Sequence, residues 1–212
     1  MAPHFMLEAM SVNFELILVD RKNNEQKSAD YLLLNPAGRI PTLIDHHYAS
    51  ENIDNKGFAI FESPAICIHL AEMNPQANLI PQIGDRNRAI FLQWMMYLTN
   101  TVQAELMMCF YPENHTTDVK RIKTIEEAQE LRVIAMFELL DQELKGKSYL
   151  IGEAISACDY FLFMLAVWAD ELKRPPLSFK YLGKYLCQLA QRDEVVSVCK
   201  TECLSLADYK SC

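Results

Sequence analysis

The chain has 212 residues, half of them hydrophobic and 23% charged, with a net charge of −8 at neutral pH. That is enough chain for one large domain or two small ones around a sizeable core, and an acidic balance without a basic face argues against nucleic acid as a partner. The longest apolar run, Tyr160 to Ala169, is about half of what spans a bilayer, so no membrane is implied; with no signal peptide the expected location is cytoplasmic.

The first third changes character every dozen residues. Pro3, near the start of Ala2 to Met10, suits the first turn of a helix. Phe14 to Asp20, "FELILVD", predicts a strand rich in large apolar residues. Lys27 to Leu34 predicts a helix that stops at Asn35-Pro36, because the residue before a proline avoids the α region. A strand follows in "GRIPTLID" (38 to 45), then a polar loop from His46 to Gly57. A short strand, Ala59-Ile60-Phe61, leads into a helix with Ser63 as N-cap and Pro64 at its first position, where a missing N–H costs nothing. Such close alternation suggests an α/β unit.

After Asn74-Pro75 the pattern changes. "NPQANLIPQIGD" (74 to 85) carries two prolines and a glycine and reads as a linker. Beyond it helices are predicted over about 86–111, 118–145, 156–171, 178–191 and 193–204. Pro112, Gly146, Gly152 and Pro175-Pro176 stand between them as stops. The division is therefore an α/β domain over residues 1–75, a linker over 76–85 and an all-helical domain over 86–212. Ser156-Ala157-Cys158-Asp159 opens the apolar run "YFLFMLAVW" as an S-x-x-D capping box.

Several kinds of site are not indicated. The seven cysteines (67, 109, 158, 187, 199, 203, 212) are odd in number and lack a C-x-x-C, which reads as reduced thiols rather than a disulfide framework. Cys199 and Cys203 share a predicted helical face without a partnering His, and His46-His47 have no spaced third ligand, so no metal is expected. The six glycines form neither G-x-G-x-x-G nor G-x-x-x-x-G-K, which leaves no nucleotide loop.

Two short stretches can carry chemistry. At Glu62-Ser63-Pro64 a helix N-terminus presents unsatisfied N–H groups and the positive end of its dipole, a ready site for a carboxylate. With the Ser63 hydroxyl as a second donor and Glu62 to pair with an ammonium, the stretch suits a zwitterion. Taken alone, it fits a plain helix cap beside a solvated glutamate better than a ligand site. The second stretch is Ile40-Pro41. Proline cannot donate to a sheet ladder, so its place in a strand is the first residue, an edge or a bulge. A cis Ile40–Pro41 bond would turn the backbone of Ile40 out of the sheet, free to pair with an extended peptide ligand.

The order of these motifs resembles the glutathione S-transferase family. "NPAGRIPTLID", then "FESPAICIHLAE", then a Pro-containing linker and a helical domain holding "YLIGEAISACDYFLF" carry the resemblance, which covers almost the whole chain and looks nearest to the bacterial beta class. It implies a thioredoxin-like N-terminal domain, a helical C-terminal domain and a homodimer that binds glutathione. It implies that Ile40, before Pro41, pairs its backbone with the cysteinyl part of glutathione, and that Glu62 and Ser63 hold the γ-glutamyl group. Arg39 stands where beta-class members often carry an amide side chain toward the glycyl end, and an arginine can still meet a carboxylate.

The same resemblance exposes departures. Family members begin with a strand and a loop that supplies the Tyr, Ser or Cys acting on the glutathione sulfur, whereas this sequence opens at "MAPHFMLEAM", which resembles the first helix under way. The first strand of the thioredoxin-like sheet is therefore expected to be missing, and no catalytic residue is assigned at that position. Where beta-class relatives carry an Asn and a His, alignment on Trp94 and Tyr97 places Met96 and Gln103, the candidate lining of a substrate pocket. Gln103 can donate a hydrogen bond but cannot act as a base. Two readings stay open. One is a transferase whose glutathione thiolate attacks small hydrophobic electrophiles or reduces disulfides and peroxides. The other is a non-catalytic binding or regulatory protein of the stringent-starvation type.

Overall fold

The computed structural model describes residues 1–47 and 57–210. Most of the polar loop expected over 46–57, and the last cysteine, Cys212, lie outside the described residues. Helix α1 runs over Ala2–Met10 with its proline in the first turn and ends at Ser11 in the left-handed conformation. Helix α2 is Ala29–Leu34, shorter than the predicted 27–34. Ser28 is its cap, its Oγ accepting from Tyr31 N at 3.2 Å, and a separate 3-10 turn covers Glu25–Lys27. Strands β1 (Thr42–Asp45) and β2 (Phe58–Phe61) pair antiparallel, Thr42 opposite Phe61 and Asp45 opposite Phe58. Helix α3 follows at once, Ser63–Met73.

The strand expected over Phe14–Asp20 does not form. Phe14, Leu16, Ile17 and Leu18 are exposed, Leu18 to 81%, and among the described residues the sheet holds β1 and β2 alone. Composition favours a strand, but a strand exists only as one side of a hydrogen-bonded ladder. Among the described residues no neighbour supplies the other side.

The remainder is helical, as read. Helix α4 (Arg86–Tyr97) is capped by Asp85, runs through a π-helical turn at Leu98–Gln103 and continues as α5, Ala104–Phe110. Helices α6 (Ile122–Glu143), α7 (Ala157–Trp168), α8 (Lys180–Leu189) and α9 (Asp193–Thr201) complete it. Residues 157–166 of α7 are buried on every side, the mark of a helix at the centre of a core. Ser156 and Asp159 form the expected capping box, and Asp159 Oδ1 also accepts from Leu150 N at 2.8 Å and the Tyr185 hydroxyl at 2.6 Å.

The two parts read along the chain share one core. Phe5 of α1 stacks on Tyr160 of α7 at 6.0 Å and meets Phe163 edge-on at 5.8 Å. Cys67 and Ala71 of α3 join the same cluster. Helix α1 therefore carries the small sheet region on the helical body. Two cysteine readings are corrected. Cys187 is disulfide-bonded, whereas 67, 109, 158, 199 and 203 are free; pairing depends on where side chains meet in space, which spacing does not reveal. Cys199 and Cys203 do not share a helix, since α9 ends at Thr201 and Cys203 takes φ +57°. Among the described residues no helix is long and apolar enough to cross a membrane, and no group of side chains is placed to hold a metal ion.

Candidate functional site

The β1–β2 register brings the two chemical stretches together. Because Thr42 lies opposite Phe61, Pro41 and Glu62 are the next residues outward at the same end of the ladder, where facing chains run about 5 Å apart. The Ile40–Pro41 bond is cis. Ile40 is 44% exposed, and its own N–H and C=O make no hydrogen bond to the described residues. Arg39 beside it is exposed and without an ion pair among them.

Across the ladder, Glu62 rather than Ser63 is the helix N-cap: its carbonyl accepts the first helical bond, from Ile66 N at 3.0 Å. Glu62 takes φ +69° and ψ 111°, a left-handed backbone that a non-glycine residue rarely adopts. This one-residue shift places Ser63 inside the first turn. Ser63 is only 9% exposed, and its hydroxyl, which is not sealed from solvent, finds no partner among the described residues. The Glu62 carboxylate is exposed and has no partner among the described residues. The arrangement is an acid, a hydroxyl and a helix N-terminus side by side, open to one ligand that carries both an ammonium and a carboxylate.

A group of residues that the sequence reading did not single out holds the Ile40 side of the site. Asn35 is buried, and its Nδ2 donates to the Arg39 carbonyl at 2.7 Å and to Thr42 Oγ1 at 3.3 Å, while its Oδ1 accepts from Ala37 N at 3.0 Å. The Tyr31 hydroxyl reaches the same two atoms, Arg39 O at 2.9 Å and Thr42 Oγ1 at 2.8 Å. Gly38 completes the turn at φ +57°; a Cβ there would lie 2.8 Å from Lys27 Nζ and 2.9 Å from the Gln26 carbonyl. The one local signal was Asn35-Pro36, which announced a helix stop and nothing more.

Among the described residues no side-chain hydrogen bond ties the other candidates to this end. Cys67 is wholly buried, and burial pushes its thiol up to about 12, so it is an inert core residue and not a nucleophile. Met96, 40% exposed on α4, and Gln103, at the end of the π-helical turn, have no bond to Ile40, Glu62 or Ser63. Asn100, brought round by that turn, approaches Met96 Sδ with its Nδ2 at 3.8 Å. An open depression of about 310 Å³ between the linker and residues 151–156, lined by Ile80, Asp85, Asn87 and Glu153 among others, shares no residue with the sheet end.

Comparison with known proteins gives the following. Residues 1–72 match the family model for the glutathione S-transferase N-terminal domain, and residues 100–193 match that for the C-terminal domain. The chain is 23% identical over 203 residues to glutathione S-transferase GstA of Escherichia coli O157:H7, covering 95% of this chain and 93% of that one. It is 26% identical over 171 residues to glutathione S-transferase GST-4.5 of Xanthomonas campestris, covering 81% and 78%. Among solved structures it resembles a sphingomonad glutathione S-transferase complexed with glutathione, with 27% identity, a TM-score of 0.80 and coverage of 96% and 94%. A bacterial beta-class glutathione S-transferase of Sphingomonas chungbukensis is equally similar in fold, with a TM-score of 0.80 at 26% identity and the same coverage.

Proposed function

The chain belongs to the glutathione S-transferase family, and we propose that it binds glutathione at the sheet end where Ile40-Pro41 and Glu62-Ser63 converge. The observation that carries this reading is the Thr42–Phe61 register. It sets a main-chain donor and acceptor at Ile40 beside the Glu62 acid and the Ser63 hydroxyl, none of which makes a hydrogen bond within the described residues. An extended tripeptide needs such spacing between its middle amide and its zwitterionic head. The main chain of Ile40 pairs with the cysteinyl unit, as a strand adds to a sheet edge. Ser63 and the α3 N-terminus receive the γ-glutamyl α-carboxylate, Glu62 its ammonium, and Arg39 the glycyl carboxylate.

In the transfer reading, the bound thiol gives its proton to solvent water, the thiolate forms a bond to an electrophilic carbon and the leaving group departs with its electron pair. We assign no residue of this chain to activation of the sulfur, since the Cys67 thiol is sealed in the core and Met96 and Gln103 offer no base. That same observation favours a second reading, in which the chain binds glutathione without turning it over. A homodimer and a cytoplasmic location accompany either reading, by resemblance and because the cytosol is where a glutathione pool sustains binding.

Calorimetric titration with glutathione tests the site. The Ser63→Ala variant should bind about ten-fold more weakly or worse, as expected for a lost hydrogen bond to a charged group. Unchanged affinity in the variant would remove Ser63 from the site, and no saturable binding by the folded wild-type chain would remove the proposal.

A further inference from the structure

We propose that Tyr31 and Asn35 are positioning residues, whose paired grip on the atoms flanking Ile40 holds its main chain in register for the ligand. The inference rests on the glutathione reading of the site. Its starting point is a contrast in hydrogen bonding. Ile40 leaves both of its own main-chain groups unbonded within the described residues. The carbonyl immediately before it, Arg39 O, is gripped twice, by Asn35 Nδ2 at 2.7 Å and Tyr31 Oη at 2.9 Å. The hydroxyl two residues after it, Thr42 Oγ1, is gripped by the same pair at 3.3 and 2.8 Å. A donor and acceptor without partners among the described residues thus stand between two anchored points.

The anchors are themselves fixed. Asn35 uses all its polar atoms: its N–H donates to Tyr31 O at 2.9 Å, its C=O accepts from Gly38 N at 2.9 Å, its Oδ1 accepts from Ala37 N, and its Nδ2 divides between Arg39 and Thr42. Its side chain is buried. Tyr31 lies one turn earlier on α2 and adds a rigid ring with a single hydroxyl to place. A main-chain pair held at both ends loses little freedom when a ligand strand docks, so affinity is gained through pre-organisation rather than through contact with the ligand. Tyr31 and Asn35 make their hydrogen bonds to the chain that receives the ligand, hence their role as positioning residues.

The test compares the wild-type chain with Tyr31→Phe, which deletes one hydroxyl and keeps the ring, and with the isosteric Thr42→Val, which removes the shared oxygen and serves if the first variant folds poorly. Glutathione is titrated against each, and binding is followed both by calorimetry and by the amide resonances of Ile40, Ser63 and Ala65. Wild type should respond at all three amides. Each variant should bind about three- to ten-fold more weakly, the scale of one hydrogen bond, with the response at Ile40 reduced while Ser63 and Ala65 still respond at saturation. A purely structural role would lower the unfolding midpoint and leave the Ile40 response intact, and that result overturns the inference. No response at any amide of folded wild type overturns the glutathione reading and this inference with it.

Discussion

Removal of the Asp159 carboxylate is the sharpest test of how the body that carries the site is held. The side chain is wholly buried. Its Oδ2 accepts from Ser156 N at 2.7 Å and Ser156 Oγ at 2.8 Å, and its Oδ1 accepts from Leu150 N at 2.8 Å and the Tyr185 hydroxyl at 2.6 Å. In Asp159→Ala the Ser156 hydroxyl can turn elsewhere, but two backbone N–H groups and a buried phenol lose their acceptor. At about 1–3 kcal/mol for each buried donor left unsatisfied, with some relaxation, the expected loss is about 3–6 kcal/mol. That is a large part of the ~5–15 kcal/mol by which a domain is stable. Asp159→Asn should recover little of it. Whichever way the amide is turned, its NH₂ faces one of the two backbone N–H groups, because each carboxylate oxygen accepts from one. Urea unfolding followed by Trp94 and Trp168 fluorescence measures both variants against wild type. A loss under about 1 kcal/mol in Asp159→Ala would refute the reasoning, since no satisfied buried network of this kind is so cheaply removed.

Two further perturbations bear on the parts around the site. Asp45, at the far end of β1, accepts from His69 Nε2 at 2.7 Å and from His47 N at 2.8 Å. Burial pushes its carboxyl up, but the bonds from His69 and His47 outweigh this and hold it below the ordinary range. A carboxylate held lower in the folded than in the unfolded chain stabilises above its ordinary pKa of 3.8, and that stabilisation is lost as pH falls through and below it. Asp45→Asn should therefore flatten the acid limb of the stability profile and cost about 1–2 kcal/mol near neutrality; an unchanged acid limb in denaturant titrations would reject the assignment. Gly183→Ala in α8 should destabilise by about 1–3 kcal/mol, although alanine is the better helix former by up to about 1 kcal/mol. The added Cβ would fall 2.4 Å from the Leu177 carbonyl oxygen. A raised melting temperature would show that this approach yields more readily than close packing allows.

How far the sequence reaches is visible in particular residues. Local rules act over a few positions and depend on neither partner nor path, so they survive in isolation: Asn35-Pro36 stops α2, proline opens α1 and α3, and Ser156 and Asp159 cap α7. That Glu62 and Ser63 stand at a helix N-terminus was also legible, because Ser-Pro opens a helix within two residues; the zwitterion site proposed there is for titration to test. Tertiary structure alone decided the rest. Phe14 to Asp20 has the composition of a strand, yet a ladder needs a second side. Ser63 looked like the cap until the turn into α3 put Glu62 there at φ +69°. Asn35 and Tyr31 became the grip around Ile40 only once α2 and β1 lay side by side. Hydrogen bonds between elements, and a core that runs from Phe5 to Tyr160, depend on where the chain returns to itself, and a one-residue shift in that path changes which side chains meet.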